Sequence, residues 1–263
     1  MNALVPVPRR TGSERPVVIG WLSALVALCW AYLLFRASRM GGADMASMAG
    51  MTMEPPPPAP YRPSELLLLF GMWVAMTSAM MLPATTPAVV LFARVNRLYH
   101  AVRRPYLATA LFVLGYLVAW SAFGAGATLV QWALHDAGVL DNGMAVTNST
   151  VAGLTLVAAG AYQWTPAKHA CLHHCRTPLA FMLTGWRRGL WGAYRMGVTH
   201  GLYCTGCCWL LIVLLFAAGV MNLAAVAALA VLVLAEKLLP GGSWIATLAG
   251  LAMVAWGTLL LFP

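Results

Sequence analysis

The chain has 263 residues, of which 61% are hydrophobic and 9% charged. A soluble domain carries about a quarter charged residues, so this balance excludes an ordinary soluble fold. A formal charge of +9 in such a chain is a topology signal and excludes a nucleic-acid footprint, because its basic residues cluster between apolar runs.

A membrane-crossing helix needs roughly 20 mainly apolar residues. Seven stretches qualify: 17–35, 64–83 with a continuation to 92, 107–134, 148–164, 197–218, 220–238 and 244–262. With the N-terminus in the cytoplasm, thirteen of the sixteen basic residues fall inside, leaving only Arg36, Arg39 and Arg62 outside. Five of the seven acids lie outside, in agreement. The predicted fold is therefore all-α, a polytopic transmembrane helical bundle of about seven spans with a cytoplasmic N-terminus. Its place is a bacterial inner membrane, and the lipid bilayer is the partner that composition dictates. Three regions follow: residues 1–36 as a tail and first anchor, 37–63 as an external Met/Pro-rich loop, and 64–263 as a six-span metal-binding domain. The first apolar run exceeds a signal-peptide core and is followed by Arg36, so it reads as a retained anchor.

In chain order, the external loop carries Met40, Met45, Met48, Met51 and Met53, then Pro55 to Pro58. With no periodic apolar pattern, the Met segment is expected to be disordered without a ligand. Thioethers are soft Cu(I) ligands that survive an oxidising compartment, although short Met-rich linkers also arise by drift. The second span places Met72, Met76 and Met80 on one stripe, with Met81 opposite. Methionine is ordinary packing material in helices, and the stripe gains interest from its soft-ligand company. Pro83 and Pro87 are expected to kink the cytoplasmic end of this span.

The loop after the fourth span reads from Tyr162 through Pro166, Lys168 and His169 to Cys171, His173, His174, Cys175 and Arg176. If it is helical, Cys171 and Cys175 share a face, and either His173 or His174 could complete a site. The alternative is a basic, solvated segment at the membrane surface. The fifth span opens on Gly197 and Gly201, a spacing that lets another helix approach closely. It then carries His200, Cys204, Cys207 and Cys208 within a sector of roughly 100°. Three thiols and an imidazole on one stripe favour Cu(I) or Zn(II); the plain alternative is cysteine as a small apolar filler. Five of the six cysteines face the reducing side, where thiol clusters bind metals or do chemistry more often than they form disulfides. Cys29, alone in the first span, reads as filler. The fifth and sixth spans form a tight hairpin around Gly219, and Glu236-Lys237 at the end of the sixth reads as a pair snorkelling to the interface.

No phosphate-binding glycine loop, nucleophile elbow or zinc-protease helix is present in the sequence. Three readings remain. The first is a copper-handling protein, with Cu(I) favoured over zinc as its metal and a metallochaperone or metalloenzyme as a compatible partner. The second is a membrane thiol–disulfide oxidoreductase using Cys204 and Cys207 with Cys171 and Cys175. The third is a structural subunit of a larger membrane complex. Enzyme activity is the less favoured assignment, and oligomerisation stays open.

Several blocks resemble a known family: Met72-Trp73 to Met76, Ala79-Met80-Met81-Leu82-Pro83, Tyr162-Gln163 to Lys168, Cys171 to Arg176, Cys204 to Trp209, Gly219 to Asn222, and Glu236-Lys237. Over roughly Ser64 to Pro240 the chain resembles a bacterial family of predicted metal-binding integral membrane proteins, a domain of unknown function sometimes labelled copper chaperone. The resemblance implies metal binding and a membrane location, and it carries no mechanism. The Met-rich loop lies outside it.

Overall fold

A computed structural model describes residues 14–48, 61–100, 104–140, 144–146 and 148–262, without the side chains of 14, 40–48 and 98–100. The described residues form helices joined by short connections, with one isolated bridge between Leu140 and Val146. The helices are α1 (Glu14–Met48), α2 (Pro63–His100), α3 (Pro105–Asp136), α4 (Ser149–Tyr162), α5 (Pro166–Arg176), α6 (Pro178–Gly185), α7 (Gly189–Ala218), α8 (Leu223–Leu238) and α9 (Gly242–Leu261). Five of them, α1, α2, α3, α7 and α9, contain stretches long and apolar enough to cross a membrane. The fourth and sixth apolar runs fold as shorter helices, α4 with 14 residues and α8 with 16.

Side chains explain the boundaries. Asn148 caps α4 by accepting from the amides of Thr150 and Val151, and Asn222 caps α8 by accepting from Ala225. Thr165 and Pro166 start α5, the threonine oxygen accepting from Lys168 N at 3.3 Å. Gly219 closes α7 with φ of 91°, a left-handed backbone that glycine adopts without a Cβ penalty. The α7–α8 hairpin turns there.

One sequence expectation needs correction. Helix α1 continues past Arg36 and Arg39 to Met48, so the segment from Met40 to Met48 is helical rather than disordered. Ala and Met are good helix formers, and the preceding apolar turns supply the nucleus that an isolated segment would lack. Helix α2 runs as one element through both Pro83 and Pro87. Thr86 Oγ1 donates to the Leu82 carbonyl at 3.0 Å within this stretch.

The core forms where α2, α3 and α7 pack together, with α1 outside α2 and α8 also against α2. A second close pair, α4 with α9, joins through α4–α7 and α8–α9 contacts. The short helix α5 packs across α7. Trp73, Phe92, Phe112, Tyr116 and Trp120 are the largest buried rings of this core, and the Trp73 indole donates to Gln131 Oε1 at 2.7 Å.

Candidate metal centre

The inward face of α7 holds Cys204, Cys207 and Cys208, each at most 1% exposed. Glycine allows α3 to reach that face. A Cβ on Gly197 would collide with the Phe112 carbonyl, and one on Gly201 would lie 2.7 Å from Ala119 Cβ. The close approach delivers Tyr116, whose hydroxyl lies 3.1 Å from Cys204 Sγ and donates to the Met81 carbonyl at 3.2 Å.

The thiols make a network. Cys207 Sγ donates to the Cys204 carbonyl at 3.1 Å and lies 3.2 Å from Cys208 Sγ. Cys175 on α5 is the fourth member, interacting with Cys204 and Cys207. Its thiol is held well above the ordinary range, first by hydrogen bonding with Cys204. One turn earlier, Cys171 sits in the space that Gly206 leaves, its sulfur 3.0 Å from where a Cβ would stand. Burial pushes the Cys171 thiol up as well. The Tyr162 hydroxyl donates to the Gly206 carbonyl, fixing the same stretch of α7 to the end of α4.

Glu236 and Lys237 correct the snorkelling expectation. They are 1% and 7% exposed, and neighbours on a helix project about 100° apart, so each finds its own buried partner. Lys237 Nζ donates to Cys204 Sγ at 2.8 Å. Glu236 pairs at 2.7 Å with Lys168 of α5, which is 0% exposed and also donates to Gln163 Oε1. At the other end of α5, Arg176 Nη2 donates to the Leu239 and Pro240 carbonyls at 2.8 and 3.0 Å. Two cationic clasps therefore tie α5 to the C-terminal end of α8 and hold Cys175 at the thiols. Breaking a buried pair leaves an uncompensated charge, at a cost of about 3–5 kcal/mol.

The remaining candidates stand at varied distances from this network. His200 turns Nε2 to Thr85 Oγ1 at 3.0 Å, inside a ring of Phe112, Tyr116 and Phe181 with centroids 5.5–6.0 Å away. Its Nδ1 is buried without a hydrogen-bond partner. His174 stacks on Tyr203 at 4.2 Å and sets Nδ1 against the Ala170 carbonyl at 2.9 Å, while His173 is exposed. Met72, Met76 and Met80 are buried with Met81 in the core. Met45 and Met48 lie in the last turns of the α1 backbone, with side chains outside the described set; Met51 lies outside the described residues. Among the described residues, no three or more His, Cys, Asp or Glu side chains are already arranged to hold a metal ion. The thiol bond to the Cys204 carbonyl shows one reason: Cys207 is turned toward its own backbone.

Sequence reasoning missed Tyr116 and the buried roles of Lys168, Glu236 and Lys237. The available signal was a Glu-Lys pair closing an apolar run, matched by one lysine beside the His/Cys segment.

The molecule is thus an all-helical protein with five helices able to cross a membrane and a buried thiol network between α5, α7 and α8. The PpoB2 family model, described as copper chaperone, matches residues 70–260, and the chain belongs to that family. Neither a curated protein nor a solved structure matches it.

Proposed function

We propose that this chain is an integral membrane protein that handles Cu(I), taken as cargo by Cys204, Cys207, Cys208 and Cys175. The observation that carries this reading is the meeting of four thiols from two helices beside the Lys237 ammonium. Soft thiolates suit Cu(I). Two thiolates on one Cu(I) leave a single negative charge, which Lys237 balances in a medium where net charge is costly. Four thiolates on Zn(II) would leave two negative charges against the same lysine, so the site favours copper. Loading requires Cys207 to leave the Cys204 carbonyl and turn toward its neighbours.

Around this centre, Cys171 and His174 on α5 form its cytoplasmic edge, and His200 and the Met72/Met76/Met80 stripe lie on the membrane side. Met45, Met48 and Met51 collect Cu(I) on the external side, in segment 37–63. The N-terminus is cytoplasmic, and α4 and α8, about 21 and 24 Å long at 1.5 Å per residue, complete seven crossings with their flanking turns. The membrane is a bacterial inner membrane, and a metallochaperone or metalloenzyme receives the ion.

Thiol–disulfide exchange is a second reading, using Cys204 and Cys207 with Cys171 and Cys175 and favoured by the meeting of Cys175 with Cys204 and Cys207 in a protein whose six cysteines are free. Copper content measured after expression with copper separates the two. Replacing Cys204, Cys207 and Cys208 together by Ser should remove bound copper, and Cys29→Ser should leave it. Copper content indifferent to the triple change would refute the copper reading, and trapping of a disulfide between Cys175 and Cys204 or Cys207 in cells would favour the second.

A further inference from the structure

Helix α5 has two chemically different faces. Lys168, Leu172, Cys171 and Cys175 point toward the bundle, where Lys168 and Leu172 are buried and both thiols meet α7. His169 and His173 occupy the opposite side, and both are exposed. They are four residues apart on one helix, a spacing that puts Cβ atoms about 5–6 Å apart and stacks the side chains on one face. The helix beneath them is held rigid at both ends by the Lys168–Glu236 pair and the Arg176 bonds to Leu239 and Pro240. Neither imidazole is hydrogen-bonded among the described residues. His174, by contrast, is committed to Tyr203 and the Ala170 carbonyl.

We propose that His169 and His173 form a second, separate metal site, a bis-imidazole clamp on the exposed face of α5 for a borderline divalent cation such as Cu(II), Ni(II) or Zn(II). Two imidazoles one turn apart on a helix are a sufficient pair of first ligands for such ions, and water completes the shell at an exposed position. The site differs from the thiol centre in every relevant property. Its donors are nitrogen rather than sulfur, it is open to solvent, and it binds without any rearrangement of α7. It does not depend on the Cu(I) reading of the buried thiols.

Ni(II) is the probe, because imidazole suits it and it does not oxidise thiols as Cu(II) would. The full chain, purified in detergent without a polyhistidine tag, is titrated with Ni(II). His169→Gln or His173→Gln should each weaken binding at least tenfold, and His174→Gln should leave it unchanged. The triple Cys204/Cys207/Cys208→Ser variant should bind Ni(II) like the wild type while losing Cu(I). Both histidines are exposed, so equal helix content by circular dichroism checks that the fold survives. Wild-type Ni(II) affinity in His169→Gln and His173→Gln would overturn the proposal, as would loss of Ni(II) binding in His174→Gln or in the triple Ser variant.

Discussion

Two helix pairs in this molecule are built on the same device and put it to different ends. In α4–α9, Gly153 meets Gly257 and Gly160 meets Gly250 in antiparallel register; a Cβ on Gly160 would lie 2.7 Å from the Gly250 carbonyl. In α3–α7, Gly115, Gly197 and Gly201 allow an equally tight approach, and a Cβ on Gly115 would lie 2.9 Å from Val198 N. Small residues at such contacts let backbones pack closely where lipid gives no hydrophobic drive for helix association. Beside α4–α9 the flanking groups are mainly aliphatic, among them Val157, Val254 and Leu261, with Gln163 and Trp164 at the Gly250 end. Beside α3–α7 they are Tyr116, His200 and Cys204. Close approach sets the distance between helices, and the residues one step away from the glycines decide whether that distance serves chemistry.

The comparison is broken most severely by removing the clasp that brings α5 to α7. Lys168→Met should destabilise the protein by about 3–5 kcal/mol, because Glu236 is left charged and buried. The double change Lys168→Met with Glu236→Met should recover most of that loss in thermal unfolding. Equal destabilisation of single and double variants would show that the ion pair is not the origin of the effect.

Glycine substitutions separate the two pairs directly. Gly197→Ala and Gly160→Ala should each cost about 1–3 kcal/mol through overpacking, read as a drop in melting temperature. Only Gly197→Ala should also lower copper occupancy, since it pushes α3 and Tyr116 away from Cys204. Equal copper loss in both would mean that the pairs are not functionally distinct.

A smaller and more local effect is expected at Lys237. Lys237→Gln keeps a polar group near Cys204 but removes the charge that balances a Cu(I)–dithiolate. Cu(I) affinity should fall about tenfold, or ~1.4 kcal/mol, in competition with a chromophoric chelator, with little change at α4–α9. Unchanged affinity would remove Lys237 from the site. The smallest effect concerns pH. Thiolate is the species that reacts with iodoacetamide, and the Cys171 and Cys175 thiols are held above the ordinary range. In a variant retaining only these two cysteines of the cluster, burial keeps Cys171 raised, so its alkylation should reach half-maximal rate at a more alkaline pH than a free thiol. A midpoint equal to that of a free thiol would contradict its burial against Gly206.

Helical character, the α7–α8 turn and the inward stripe of Cys204, Cys207 and Cys208 were legible in the sequence because each rests on local periodicity or a single residue type. The Gly197/Gly201 spacing likewise pointed to close packing on α7, and the partner proved to be α3. What could not be read were pairings across long separations. Tyr116 lies 88 residues from Cys204, and Lys168 lies 68 from Glu236. Hydropathy treats Glu236 and Lys237 as one polar end of an apolar run, whereas their divergent directions on the helix send them to different buried partners. The imidazole of His200 shares a stripe with the thiols, yet ring packing and Thr85 decide its direction. The helix extending to Met48 was obscured by its glycines and by the absence of an apolar pattern.

The central claim is that the buried thiols of α5 and α7 hold Cu(I) together, and copper K-edge X-ray absorption on the full chain loaded with one equivalent of Cu(I) tests it most directly. The result expected is a Cu(I) edge with a first shell of sulfur alone, which disappears in the triple Cys204/Cys207/Cys208→Ser variant. A first shell of nitrogen or oxygen, or a sulfur shell that persists in that variant, would contradict it.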